Sequence, residues 1–263
     1  MGKNKLRKFD EMEHIPFVLQ YPFSVLKDKG FELRGNWHRD FFGNDNPIVV
    51  ELGCGKGEYT VGLARRFADR NFVGIDIKGA RMWSGASAAN REGMTNVAFL
   101  RTSIELLDNF FAPGEVSEIW ITFADPQMKK QRKRLTSARF MDLYSRVLRP
   151  GGVVNVKTDS PFLYTYTKRL CTANPQAMRI VTDTDDLYAD GGASCGGHEG
   201  TAFALDIKTH YEQQWLARGL TIKYLAFALD TTAGAVTEVD DSDIDRDTYR
   251  SYSRGVLEQE GLR

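Results

Sequence analysis

The amino-acid sequence predicts an α/β protein built on a doubly wound, mostly parallel sheet with helices on both faces. Two observations carry this. From Pro47 to Asn174, short apolar runs with strand character alternate with helical stretches, and the links between them are short. Glycine-rich or aspartate-bearing turns follow several of those runs. Sheets of this kind bind ligands at the carboxyl ends of their strands, so the places to look are just after Leu52, Ile75, Phe123 and Thr158.

The elements follow in order. Residues 1–45 are mixed, with a basic start (Lys3, Lys5, Arg7, Lys8), then Glu11, Glu13, aromatics, Pro16 and Pro22. They read as an arm or short helices over the core. Ile48–Leu52 (IVVEL) is a short apolar run consistent with a buried strand. Glu58–Ala68 carries Val61, Leu63, Ala64 and Phe67 at helical spacing. Asn71–Ile75, Val97–Arg101, Glu118–Phe123 and Gly152–Thr158 are the next strands. Lys78–Arg91, Ser103–Phe111 and Ser137–Leu148 are the helices between them, the last stopped by Pro150-Gly151-Gly152. Pro161–Asn174 opens on a proline suited to a first helical turn. Met178–Thr182 and Ile222–Leu229 are later strands, and Asp183–Thr201 reads as a glycine-rich loop. Asp230–Asp247 resembles a linker or disordered tail, with a short helix expected near Asp245–Glu260. The organisation expected is 1–45 as arm, 46–229 as ligand-binding domain and 230–263 as acidic tail.

Composition narrows the class. The chain has 263 residues, 42% hydrophobic and 27% charged, within globular averages. No apolar run approaches the ~18 residues of a membrane span, and no apolar segment follows the basic start, so no membrane partner or export signal is expected. Three cysteines (Cys54, Cys171, Cys195) without CxxC spacing and four scattered histidines point to neither a disulfide framework nor a metal site. A reducing cytoplasm is the expected location. Net charge is zero, but from Asp230 onward nine acidic residues face four basic ones, a net of −5. Residues 1–229 therefore carry +5, which leaves room for a local basic patch.

The turns carry the chemistry. Glu51-Leu52-Gly53-Cys54-Gly55-Lys56-Gly57 has GxGxG spacing, with Glu58 where a dinucleotide fingerprint would place glycine. Carboxylates at positions 51 and 58 suit no pyrophosphate, whereas Glu51 suits an ammonium group. S-adenosylmethionine (SAM) offers an ammonium and a sulfonium and no phosphate. Asp76 stands 23 positions after Gly53, where an acidic residue either accepts both ribose hydroxyls or caps the following helix. Thr102 and Ser103 either cap the next helix or meet an adenine amino group. Asp125, held by Pro126, ends a central strand and precedes Lys129, Lys130, Arg132, Lys133 and Arg134. That run is either a solvated loop or a phosphate-contacting surface. Lys157, Thr158 and Asp159 follow the fifth strand, and Thr209-His210-Tyr211-Glu212 sets an aromatic beside a carboxylate. Tyr211 is either a core aromatic or a platform for a base whose N–H groups carboxylates accept.

The strings VELGCGKG, GIDI, FADP with its Lys/Arg run, LRPGG, KTD and THYE together resemble the bacterial tRNA (guanine-N7-)-methyltransferases over roughly residues 1–229. The resemblance implies a Rossmann-like class I SAM-dependent enzyme that methylates a guanine in the tRNA variable loop. It implies cofactor contacts from Glu51, Gly53, Gly55, Gly57, Asp76, Thr102, Ser103 and Asp125, with Asp125 also catalytic. Lys129, Asp159, Thr209, His210, Tyr211 and Glu212 match substrate-binding positions, and Lys130, Arg132, Lys133 and Arg134 would meet RNA phosphates. Ala124 and Gln127 stand where the family has proline and tryptophan, Thr102 where it often has an acidic contact, and the basic run is about two residues shorter.

The expected activity is methyl transfer from SAM to guanine N7 of tRNA by a monomer or homodimer without metal. The competing readings are a SAM-dependent methyltransferase of a protein or small molecule, and a non-catalytic RNA-binding module. An NAD dehydrogenase is disfavoured by the glycine spacing.

Overall fold

The structure is a computed structural model that describes residues 2–249, with side chains from Arg7 onward. Eight strands form one sheet: β1 (Val18–Gln20), β2 (Ile48–Leu52), β3 (Asn71–Asp76), β4 (Val97–Arg101), β5 (Val116–Thr122), β6 (Leu148–Thr158), β7 (Met178–Thr184) and β8 (Lys223–Leu229). Their spatial order is β1-β4-β3-β2-β5-β6-β8-β7. Every pairing from β1 to β6 is parallel, and β8 lies antiparallel between β6 and β7. The helices are α1 (Gly2–Glu13), α2 (Phe23–Lys29), α3 (Glu58–Arg66), α4 (Gly79–Arg91), α5 (Ala138–Ser145), α6 (Pro161–Ala173), α7 (Glu199–Asp206) and α8 (His210–Leu216). The mostly parallel doubly wound sheet is therefore present.

The chain winds outward from β2 in two directions, through β3 and β4 on one side and β5 and β6 on the other. The switch point lies between the ends of β2 and β5, where the two crossovers diverge and leave a crevice. All five residues of β2 are buried, which explains its uninterrupted apolar run around Glu51. One apolar layer gathers Val50, Leu52, Val73, Phe110 and Met141; the opposite layer gathers Val49, Tyr59, Phe72, Phe99 and Trp120. The two layers are the two sheet faces, each under its own helices.

Local chemistry sets the boundaries. Ser160 caps α6, its Oγ accepting from Leu163 N at 2.9 Å, with Pro161 in the first turn. Thr209 caps α8 with a reciprocal capping box, Thr209 Oγ1 taking Glu212 N and the Glu212 carboxylate taking Thr209 N. The Pro150-Gly151-Gly152 segment does more than end α5. Leu148 already pairs with Val116, the register then shifts, and Val153 resumes opposite Glu118. The expected Ser103–Phe111 helix is a tighter 3₁₀ turn at Ile104–Asn109. Within residues 1–45 no residue pattern marks β1, a three-residue edge strand beside β4. The expected loop 183–201 ends in α7.

The acidic stretch after β8 is not a free linker as far as Tyr249. Asp230 N donates to Ala177 O, Asn174 exchanges two bonds with Thr237, and Ile244 packs with Phe162, Tyr166, Met128 and Val239. Its polar composition concealed two apolar anchors and several specific carboxylate partners. The helix expected near Asp245–Glu260 lies, from residue 250 on, outside the described residues. No described helix is long and apolar enough to cross a membrane.

Close packing of α4 on the β2–α3 loop makes one position testable. A Cβ at Gly85 would stand 2.7 Å from Lys56 O and 2.8 Å from Gly57 Cα, both backbone atoms. G85A is expected to lose about 1–3 kcal/mol in urea unfolding, although alanine favours helix by about 1 kcal/mol over glycine. A variant as stable as the parent would mean the loop can move aside.

Candidate active site

The β2–α3 loop is shaped by three left-handed glycines, Gly53, Gly55 and Gly57, with φ of +77°, +54° and +71°. A Cβ at Gly53 would meet no atom within 4 Å, and one at Gly55 only Gly53 O at 3.9 Å. The outer face of the loop is thus open backbone. Gly57 faces inward, where a Cβ would strike the Phe99 ring at 2.6 Å.

Beneath the loop lies Glu51. Its Oε2 accepts from Thr60 N at 2.9 Å and Thr60 Oγ1 at 2.5 Å, and its Oε1 from Thr122 Oγ1 at 2.6 Å. One carboxylate therefore joins the end of β2, the first turn of α3 and the last residue of β5. Burial pushes its pKa up to about 7 despite those donors, with nearby Asp76 adding to the rise. A carboxylate accepts about four hydrogen bonds, so one place remains for an incoming ammonium.

Asp76 holds the same loop from the next strand. Its Oδ2 accepts from Gly55 N at 2.9 Å and its Oδ1 from Lys78 N at 2.7 Å. The carboxylate thus ties the glycine loop to the turn that leads into α4. At the end of β4, Thr102 is buried and its Oγ1 has no hydrogen-bond partner among the described residues. Ser103 instead donates to Glu105.

The β5–α5 loop carries Asp125 between two residues in left-handed backbone, Phe123 (φ +50°) and Gln127 (φ +46°). An aromatic in that region is a strained conformation that the surroundings must enforce. Phe123 N donates to Lys157 O at 2.8 Å, and Asp125 Oδ1 accepts from Gln127 N at 2.9 Å. Asp125 is exposed above the loop, as are Lys129, Lys130, Arg132 and Lys133. Arg134 corrects the sequence reading. It is wholly buried, its guanidinium 3.9 Å from the Tyr166 ring centroid and 4.7 Å from that of Phe162, and it pairs with Asp241 at 2.8 Å. It faces the interior and has no surface for an RNA phosphate.

Thr209, His210, Tyr211 and Glu212, far along the chain, come back to the glycine loop. His210 N donates to Glu58 Oε2 at 3.2 Å, and Lys56 Nζ lies 5.8 Å from the Tyr211 ring centroid. Tyr211 is half-buried at the rim rather than in the core. Glu212 points inward, buried against Lys157 at 2.7 Å and the Tyr188 hydroxyl at 2.6 Å. It cannot read a base edge from there. Lys157 also donates to Ala204 O and to Ile207 O, at 3.0 Å for the latter, so this buried pair staples the α7–α8 segment onto β6. Asp159 is buried beside the capped start of α6, and Tyr249 Oη donates to its Oδ2 at 2.8 Å.

The residues that the sequence reading missed are mostly these fasteners: Thr60, Thr122, Tyr188, Asp241 and Tyr249. Thr122 immediately precedes the aspartate loop, but a threonine ending a strand carries no signal of its own. Among the described residues no group of three or more histidine, cysteine, aspartate or glutamate side chains is arranged to hold a metal ion.

Fold and site together define a nucleoside-cofactor methyltransferase architecture, and a family described as "Putative methyltransferase" matches residues 45–225. A solved structure titled as an antibiotic related methyltransferase shares the fold, with a TM-score of 0.52 and 13% identity over 73% of this chain and 92% of that one. Much nearer in sequence is a tRNA (guanine-N(7)-)-methyltransferase of Porphyromonas gingivalis, 60% identical over 94% of this chain and 98% of that protein. The enzyme of the same name from Bacteroides thetaiotaomicron is 53% identical over 97% and 96%. The chain belongs to the tRNA (guanine-N(7)-)-methyltransferase family.

The buried Glu51 has a pH signature. Its folded pKa is near 7 against 4.5 for an ordinary glutamate, so the folded state holds the extra proton. The stability this contributes is full below about pH 4.5 and is lost as pH rises through 7. E51Q keeps an amide that can take the Thr60 and Thr122 contacts but cannot ionise. Urea unfolding is expected to give similar stabilities near pH 5 and an advantage for E51Q of up to about 3 kcal/mol at pH 8.5. Parallel pH profiles would exclude this assignment.

Proposed function

We propose that this chain transfers the methyl group of SAM to N7 of a guanine in tRNA, the substrate named for its relatives. The observation that carries the reading is one juxtaposition. An open glycine loop fastened by Glu51 and Asp76 adjoins a strained loop that raises Asp125 beside four exposed cations.

The residues present fit the cofactor. Open backbone at Gly53 and Gly55 admits close approach, Asp76 has lone pairs left for ribose hydroxyls, and the orphaned Thr102 Oγ1 suits an adenine amino group. Gly57 and Ser103 act through loop shape and the 3₁₀ turn. When bound, SAM supplies an electrophilic methyl carbon whose bond to sulfur breaks with the electron pair going to sulfur.

Guanine N7 attacks with its own lone pair, so no base or metal is needed to remove a proton. The protein's work is orientation and placement of charge. Asp125 orients the guanine and offsets the positive charge that grows on the ring. Tyr211, at the rim beside Lys56, offers a stacking face, with Thr209 and His210 fixing its helix start. Lys129, Lys130, Arg132 and Lys133 form the phosphate-contacting patch. The substrate is cytoplasmic, and the enzyme acts there as a monomer or homodimer.

Incubation with labelled SAM and unmodified tRNA is expected to yield labelled 7-methylguanosine. D125N is expected to lower turnover about 100-fold, and a variant with full turnover would remove Asp125 from the mechanism. Replacing Lys130 and Lys133 with alanine should weaken tRNA binding and flatten the log-affinity against log-salt slope by about 2. Label appearing in any other product would overturn the reading.

A further inference from the structure

Arg134 is an expensive residue to bury, because a guanidinium loses its hydration and regains it only through partners. Its partners are informative. Nε donates to Pro126 O at 2.9 Å and one terminal nitrogen to Gln127 O at 3.3 Å, the two carbonyls that follow Asp125. The same terminal nitrogen donates to Asp241 at 2.8 Å, while the other has no partner among the described residues. The rings of Phe162 and Tyr166 hold the planar group in place. The guanidinium thus spans the underside of the loop whose strained backbone lifts Asp125, and its one carboxylate partner comes from the segment after β8.

That segment is fastened at further points around the same loop. Gln131 Nε2 donates to Val239 O at 2.7 Å, and Asp247 N donates to Met128 Sδ at 3.2 Å. The Asp247 carboxylate takes Ser160 Oγ at 2.5 Å and Phe162 N at 3.2 Å. Glu238 takes Tyr166 Oη at 2.5 Å and Ala138 N at 3.2 Å. Each contact lands on the Asp125 loop, on a ring that holds Arg134, or on a helix start that flanks it.

We infer that residues 230–249 form a strap belonging to the methyl-transfer site, and that Arg134 and Asp241 are positioning residues. Asp241 fixes Arg134, Arg134 fixes the Pro126 and Gln127 carbonyls, and those carbonyls set where Asp125 stands. This rests on the reading of Asp125 given above. It also assigns work to a charge that the sequence reading gave to RNA. The acidic segment then supports the reaction.

The test uses the full-length enzyme with unmodified tRNA. Asp241 is partly exposed on the strap, so D241N removes a charge without opening the core. D241N is expected to lower kcat about 10–100-fold, as small misplacements of a reacting group do, with KM for tRNA and SAM affinity by titration within about twofold. D241E restores most of the turnover. R134M loses as much as D241N, and the double variant loses no more than either, as expected for residues acting in one chain of contacts. D40N is the control: it removes one acidic charge from the exposed pair between Asp40 and Arg39, outside the strap, and turnover is unchanged.

Full kcat in D241N, alongside a loss in D125N, would overturn the clamp and leave the Asp125 reading intact. Tighter tRNA binding by D241N at unchanged kcat would likewise overturn it, reducing the strap to an electrostatic screen. Full turnover in D125N would overturn the Asp125 reading on which the clamp depends.

Discussion

A carboxylate buried at the switch point of a parallel sheet is the constraint on which the site is built. Glu51 stands where β2 ends, and the three donors it satisfies come from two other elements, two from Thr60 in α3 and one from Thr122 at the end of β5. Burying an acid there is costly, and its raised pKa records the cost. In return, the start of α3 and the end of β5 have a common fixed point. The glycine loop lies on one side of that point and the Asp125 loop on the other. Asp76 adds a second fastening through Gly55 N, and Gly53 N and Cys54 N donate to Ile75 O, so the open backbone face of the loop is held by hydrogen bonds with no side chain filling it. The same economy recurs at the far end of the chain. There the buried Lys157–Glu212 pair ties the α7–α8 segment to β6 and presents Tyr211 beside Lys56.

Much of this could be read in the sequence, and the physical reasons are particular. Apolar runs such as IVVEL and the strict alternation of strand and helix report burial on both sheet faces, so β2 to β6 and the helices between them were legible. The glycines and Asp76 were legible because positive φ and a strand-end carboxylate leave few alternatives. β1 was not, because three residues on a sheet edge carry no period of their own. The irregular start of β6 was missed because Pro150-Gly151-Gly152 reads locally as a stop, while its pairing to Val116 is settled by a strand more than 30 positions earlier.

The misread charges share one cause. Arg134 and Glu212 were placed on the surface because charged residues usually lie there. Arg134 ends a run whose other four cations are exposed, and nothing in the run marks the fifth as different. What distinguishes it is two rings on α6 and a carboxylate 107 positions away. The acidic segment misled in the complementary way. Its composition is that of a solvated tail, yet Ile244 and Val239 give it an apolar hold and its carboxylates find specific donors. Composition averages over such partners, and only the fold pairs them.

That long separation has a consequence for how the molecule comes into being. A chain made from its amino end emerges with β2, β3 and the glycine loop well before Asp241 exists. Even with the sheet complete through β8, the guanidinium beneath the Asp125 loop still lacks its counter-ion. The geometry of that loop is therefore among the last features the growing protein can acquire. Synthesis of the strap, rather than closure of the sheet, marks the point at which the site is whole.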